Sequence, residues 1–399
     1  MSIELQKFTG GSGPMTMAAG IGVLGLAGGL AGIAISGKAG LYSYLVAFAY
    51  WAGISLCSLI LLMIFHTFRA KWMTVLRRPL EAMASTVPLF LLLALPFVRS
   101  VGKIYDWVNP DAAGIFNQHE LHLLHHHKHG YLNVPFFIAR TVAYLVVASL
   151  IAWRLFGLSV RQDASGNPAL TQKQRNLGIG GLPLMALVLT FASFDWLMSL
   201  NPIWFSTIFG VYYFAGSFWS ALACLIIATT LARGRDLWGH FVTPEHMHNL
   251  GKLLFAFTCF WAYIAFSQMM LIWIANLPEE VPFFAVRMKG PWAAVSIALA
   301  IGHFVVPFAL LLPRNIKRIP GRLSLVGVWA LLMHLLDIFW LVMPSLNRDE
   351  VVFHWSLPLA WVGIGGLTVA FAIWKIRGHY TVPVKDPFLD VSLQYRQPT

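Results

Sequence analysis

The chain has 399 residues, of which 58% are hydrophobic and only 11% charged, and its mean hydropathy is +0.69. A soluble domain carries about a quarter charged residues, so the composition excludes one and implies a polytopic membrane protein. The formal net charge of +12 is what Lys and Arg gathered in the loops of one membrane face produce, and it gives no reason to expect nucleic acid as a partner.

The N-terminus, MSIELQKFTGGSG, has no basic n-region and no cleavage signal follows it, so every apolar run is expected to stay in the mature protein. Ten runs are long enough to cross about 30 Å of hydrocarbon at about 1.5 Å per residue. They lie at 14–35, 41–67, 82–101, 133–157, 179–200, 204–232, 250–276, 291–313, 323–343 and 353–376. Strand-type alternation is absent, so the expected fold class is an all-α polytopic membrane protein forming one membrane domain. Soluble segments are short apart from 102–132 on one face and 158–178 and 233–249 on the other.

The first run, GIGVLGLAGGLAGIAISG, offers Gly25/Gly29 and Gly28/Gly32 at GxxxG spacing, which lets another backbone approach closely. The fifth run ends FDWLMSLNP and the ninth LDIFWLVMP, each with an Asp ahead of a Trp and a Pro. Four helices separate them, and an even offset preserves direction. The expectation is two parallel four-helix bundles, 41–200 and 204–343, with the first and tenth helices flanking them. Trp51, Trp107, Trp153, Trp204, Trp238, Trp273, Trp292, Trp340, Trp355 and Trp374 stand near run ends and read as interfacial anchors. Twenty of the 28 Lys and Arg residues fall on the side that holds both termini, which places the termini in the cytoplasm.

Cys57, Cys224 and Cys259 each stand alone inside an apolar run, with no CxxC pair and no CxxCH. The chain therefore is not expected to hold an iron–sulfur cluster or a covalent c-type haem.

Chemistry is expected where charge enters hydrocarbon. Arg140, Asp195 and Asp337 each lie six or seven residues inside a run, roughly 10 Å from the outer end, and so share one layer. An ionised carboxylate there costs roughly 2.5 to 3.5 kcal/mol, so these groups are expected to meet. An Arg between two carboxylates keeps one ionised and leaves the other free to exchange protons, which suits a proton relay; the competing reading is a static buried ion pair. His334 precedes Asp337 by one helical turn and falls near the midplane with His303. A bis-His haem needs facing pairs, and this is one pair, so proton transfer or a hydrogen bond to a quinone head group is the better use. Tyr212, Tyr213, Tyr263 and Gln268 are further polar candidates for such a relay or quinone contact.

The segment HELHLLHHHKHG holds six histidines, among them His119, His122 and His126 as weak candidates for a metal. No Cys joins them, and the segment reads equally well as a short amphipathic helix with Leu121 and Leu124 toward the membrane, so no metal is expected.

SFDWLMSLNPIWFSTIFGVYYFAGSFWSA at 193–221, with YLNVPFFIAR at 131–140, resembles the quinone-binding membrane subunits of bacterial alternative complex III, within the NrfD or polysulfide-reductase type of integral membrane subunit. The likeness extends over all ten runs; the six-histidine segment departs from it. The resemblance implies a cofactor-free helical subunit of the bacterial inner membrane, with quinol a possible ligand. Its implied partners are a homologous quinol-binding membrane subunit, an iron–sulfur protein, multihaem and monohaem cytochromes c, a terminal oxidase, and lipids. It implies support plus a proton path through Arg140, Asp195, His334 and Asp337. A purely structural anchor and a secondary transporter with an acidic coupling-ion site are the alternatives.

Overall fold

The computed structural model describes residues 7–233 and 241–396. The chain is an all-α polytopic membrane protein. Among the described residues, ten helices are long and apolar enough to span a membrane: α1 Ser12–Ser36, α2 Lys38–Thr67, α3 Lys71–Val98, α4 Val134–Ser165, α5 Ala169–Leu200, α6 Phe209–Arg233, α7 Pro244–Ala275, α8 Gly290–Leu311, α9 Pro320–Ser345 and α10 Ser356–Ile376. Arg235 and Trp238 lie outside the described residues.

α2 is the hub. It packs against α1, α3, α4, α5, α6, α9 and α10, and its whole apolar window is buried. Its sequence explains this, because it is apolar or small on every face. Its three buried tyrosines each find a carbonyl: Tyr42 donates to Ile104 at 2.9 Å, Tyr44 to Leu93 at 2.7 Å and Tyr50 to Leu331 at 3.1 Å. Around the hub, α4 packs on α5, while α6 packs on α7 and α9, and α8 on α7 and α9. The α5–α6 and α2–α6 contacts join the two groups.

α1 and α10 form the closest seam in the molecule. A Cβ on Gly25 would sit 2.7 Å from the Gly363 backbone, and one on Gly29 would sit 2.9 Å from the Ala360 Cβ. The glycine spacing therefore serves close helix packing, as its pattern implied.

Several boundaries differ from expectation, each for a local reason. α3 starts at Lys71 rather than 82 and is broken at residues 85–88. Pro88 has no N–H to give the Ala84 carbonyl, and Thr86 Oγ1 donates to the Met83 carbonyl at 2.7 Å. The segment 158–178 is helical except for 166–168. Its polar side chains pair across the hairpin: Gln162 donates to Thr171 at 2.6 Å and Gln174 donates to Gln162 at 3.0 Å. The 102–132 segment is a string of short helical turns; Leu124 is buried in the protein core there. Trp107, Trp204, Trp292 and Trp340 are buried inside the protein and do not anchor at its surface. Trp204, for example, stacks on Phe283 at 3.9 Å. Trp153, Trp273, Trp355 and Trp374 are exposed, as anchors must be.

Candidate functional site

The three charges expected to meet form two separate clusters. In the first, Arg140 of α4 grips Asp195 of α5 with two hydrogen bonds, Nε to Oδ2 at 2.9 Å and Nη2 to Oδ1 at 2.8 Å. Tyr144, one turn along α4, donates its hydroxyl to Asp195 Oδ2 at 2.7 Å. The remaining Arg140 nitrogen, Nη1, donates to the Tyr131 carbonyl at 2.9 Å, and the guanidinium lies over the Tyr131 and Phe136 rings at 3.8 and 4.2 Å. Asp195 is fully buried. This is a bidentate, charge-assisted pair in which both carboxylate oxygens and most guanidinium donors are satisfied.

Asp337 of α9 lies elsewhere, and no salt bridge joins it to Arg140 among the described residues. Its Oδ1 accepts a hydrogen bond from the Tyr212 hydroxyl of α6, and its Oδ2 accepts one from Trp261 Nε1 of α7 at 3.2 Å. His334 Nδ1 stands 3.5 Å from the same Oδ2. The expectation of one Arg between two carboxylates is thus corrected. The reason is geometric: depth along a helix fixes the layer but leaves the position within that layer open.

His303 completes the second cluster. It is buried between the indoles of Trp219 and Trp261, at ring distances of 4.2 and 3.7 Å with near-parallel planes. Neither of its nitrogens, nor either of those of His334, has a hydrogen-bond partner. The two histidine rings are 6.5 Å apart. His303 lies in a π-helical turn at Ala300–Val305 within α8. Pro307, four residues on, has no N–H to give the His303 carbonyl, which favours the register slip. Gly216 makes room on the α6 side, because a Cβ there would lie 2.8 Å from the His334 ring and 3.1 Å from Asp337 Oδ2.

The other predicted residues divide. Tyr212, Tyr263 and Gln268 line a cavity of about 500 Å³ between α7 and α8, with Trp261, Phe266 and Trp340 among its other walls. Gln268 is buried and its Nε2 has no partner, whereas Tyr263 is largely exposed at the mouth. Tyr213 is not part of this site: its hydroxyl donates to the Ala49 carbonyl at 2.6 Å and so ties α6 to α2.

In the six-histidine segment, His122 and His126 stack at 4.5 Å, and His125 faces Asp111 at 3.1 Å. His119 joins neither contact. The three-ligand grouping that the described residues do hold is His303, His334 and Asp337, with donor atoms within 4.8 Å of one another.

Sequence reasoning missed two arrangements. Arg77 and Arg78, two of the twenty basic residues on the side that holds the termini, are buried in an ion cluster with Glu81, Asp163 and Asp386. Arg78 Nη1 donates to Glu81 at 2.8 Å and its Nη2 to Asp163, while Arg77 Nη1 donates to Asp386 at 2.6 Å. This fastens the segment after α10 beneath α3 and α4. The spacing of Arg77, Arg78 and Glu81 was the available signal. Arg287, one of the basic residues counted on the face away from the termini, is buried over the Phe283 ring at 3.6 Å and donates to the Trp340, Leu341 and Phe283 carbonyls. Burial pulls its guanidinium down to about 9, still cationic at neutral pH.

Fold and site together define a helical integral membrane protein with buried carboxylates at Asp195 and Asp337 inside its spans. No family model matches the chain, and no curated protein sequence matches it.

Proposed function

We propose that this chain is the membrane subunit of a quinol-oxidising electron-transfer complex of the alternative complex III type, seated in the bacterial inner membrane with both termini in the cytoplasm. It supports assembly and carries a proton path. Its partners are a related quinol-binding membrane subunit, an iron–sulfur protein and c-type cytochromes, with a terminal oxidase as a further neighbour. We also read α2–α5 and α6–α9 as two copies of one four-helix unit.

The observation that carries the proton path is the setting of Asp337. Its neighbours are a phenol, an indole and an imidazole, with no Lys or Arg within salt-bridge distance among the described residues. With no fixed cation to hold it, Asp337 is placed to take up and pass on a proton, and His334 and His303 extend the line of titratable side chains across α8 and α9. Arg140 and Asp195 serve the same path as a fixed dipole in the other half.

The test is proton uptake by the native assembly in proteoliposomes during quinol oxidation. Asp337→Asn is expected to lower the protons moved per electron while leaving the assembly intact. Unchanged stoichiometry would end the proposal.

A second reading has one observation in its favour. The 500 Å³ cavity is mostly apolar, opens where Tyr263 and Phe266 are exposed, and places the Tyr212 hydroxyl between its wall and Asp337. A quinol head group there would find Gln268 as a donor and Tyr212 as a proton outlet. Gln268→Leu would then raise the KM for quinol with little change in stability.

A further inference from the structure

A second cavity, of about 260 Å³, lies where the termini-side ends of α2, α3 and α5 meet, and its lining is of another kind. Arg69, Arg77 and Arg175 reach it together with His66, and no acidic side chain lines it. Arg77 is neutralised by Asp386 and Glu81. The other two arginines are not. Arg69 Nη2 donates to the neutral Gln172 Oε1 at 3.0 Å, and Arg175 Nε donates to the Thr67 carbonyl at 3.2 Å. Neither forms an ion pair among the described residues. His66 is buried, and its Nε2 has no partner. Arg69 also holds a left-handed backbone, φ 50°, which side chains other than Gly, Asn and Asp rarely adopt. Such a conformation persists only when its surroundings favour it.

Leu62, Phe65, Leu80 and Phe388 give the same cavity an apolar part to its lining. The cavity stands at the end of α2, whose last helical residue is Thr67, and so lies at head-group depth on this face. Two unneutralised guanidiniums, a free imidazole nitrogen and an apolar wall fit a phosphate that carries hydrocarbon. We propose that this cavity binds the phosphate of an anionic phospholipid, Arg69 and Arg175 donating to its oxygens and His66 Nε2 completing the contact. The bound lipid would wedge between the α2–α3 turn and the start of α5, fixing the ends of three helices. The inference stands apart from the redox assignment.

The test uses the purified full-length chain in a neutral detergent, titrated separately with phosphatidylglycerol, phosphatidylcholine of equal chain length, and inorganic phosphate, with native mass spectrometry as the readout. The wild type is expected to bind phosphatidylglycerol and not phosphatidylcholine. Arg69→Gln/Arg175→Gln is expected to bind it about tenfold more weakly for each arginine lost, the size of one charge-assisted hydrogen bond. Arg314→Gln/Arg322→Gln, which removes two exposed cations of the same face outside the cavity, is expected to bind as the wild type does. Inorganic phosphate bound by the wild type and lost in Arg69→Gln/Arg175→Gln would keep the site and make free phosphate its ligand. Equal binding of both phosphate probes by wild type and Arg69→Gln/Arg175→Gln would overturn the proposal. Should the double variant fail to fold, Arg175→Gln and His66→Phe carry the same comparison.

Discussion

Asp195 and Asp337 stand at matching places in their helices, each ahead of a Trp and a Pro, yet they are buried by different means. Asp195 is held by a bidentate Arg140 and by Tyr144, so its negative charge is matched where it sits. Asp337 takes hydrogen bonds from Tyr212 and Trp261, with the His334 ring 3.5 Å away, and has no fixed positive charge beside it. The second half does own a buried guanidinium, Arg287, but it is spent on three backbone carbonyls. Hydrocarbon tolerates a carboxyl either as half of an ion pair or as a protonated acid. Asp195 takes the first course, whereas Asp337, with no guanidinium on it, is the group through which the proposed proton path runs.

The largest test of that contrast removes the counterion. Arg140→Leu strands a fully buried carboxylate and is expected to destabilise the protein by about 3–5 kcal/mol, the usual cost of breaking a buried pair from one side. Thermal melting and recovery of the assembled complex would read it. Adding Asp195→Leu should recover a good part of the loss. If Arg140→Leu were neutral, the ion pair would carry no weight in the fold and the contrast between the two sites would fall.

Next in size is the pair of amide substitutions. Asp195→Asn keeps the shape but discards a charge-assisted bidentate contact, so a loss of roughly 2 kcal/mol is expected. Asp337→Asn breaks no ion pair with Lys or Arg and keeps an oxygen for Tyr212, so it is expected to change stability by less than about 1 kcal/mol while lowering proton uptake. Equal melting temperatures for the two variants would erase the distinction.

Gly216→Ala probes the second cluster by volume. The added methyl would lie 2.8 Å from the His334 ring, which has Tyr50 behind it at a ring distance of 5.3 Å. Overpacking of this kind costs about 1–3 kcal/mol, and here it displaces the imidazole nearest Asp337. Proton uptake should fall along with the melting temperature, whereas Gly180→Ala, at a position with open space around it, should affect neither.

Much of this was legible in the sequence. Ten apolar runs gave ten helices, and the glycine spacing gave the α1–α10 seam. FDWLMSLNP and LDIFWLVMP marked both carboxylates, and matching depth found the Arg140–Asp195 pair. What remained hidden was position around a helix and within the layer. Tyr212 and Tyr213 are neighbours in sequence, but about 100° of helical rotation sends one to Asp337 and the other to the Ala49 carbonyl. Arg77 and Arg78 fit the expected excess of basic loop residues so well that burial was not suspected. The partner that reveals it, Asp386, lies 309 residues away in the chain.

The smallest expected effect separates the two tyrosines that touch the carboxylates. Tyr144→Phe removes one neutral donor from Asp195, and because Arg140 still holds both oxygens the expected loss is about 1 kcal/mol with proton uptake unchanged. Tyr212→Phe removes the partner of Asp337 Oδ1, where no guanidinium stands in reserve. The carboxyl there loses its closest hydrogen-bond partner, so uptake should slow even though the stability change is of the same order. Uptake rather than melting is therefore the deciding measurement. If both phenylalanine variants slowed it equally, Asp195 would belong to the moving proton's route as fully as Asp337, and the Arg140 pair would be a participant in transfer instead of a fixed charge beside it.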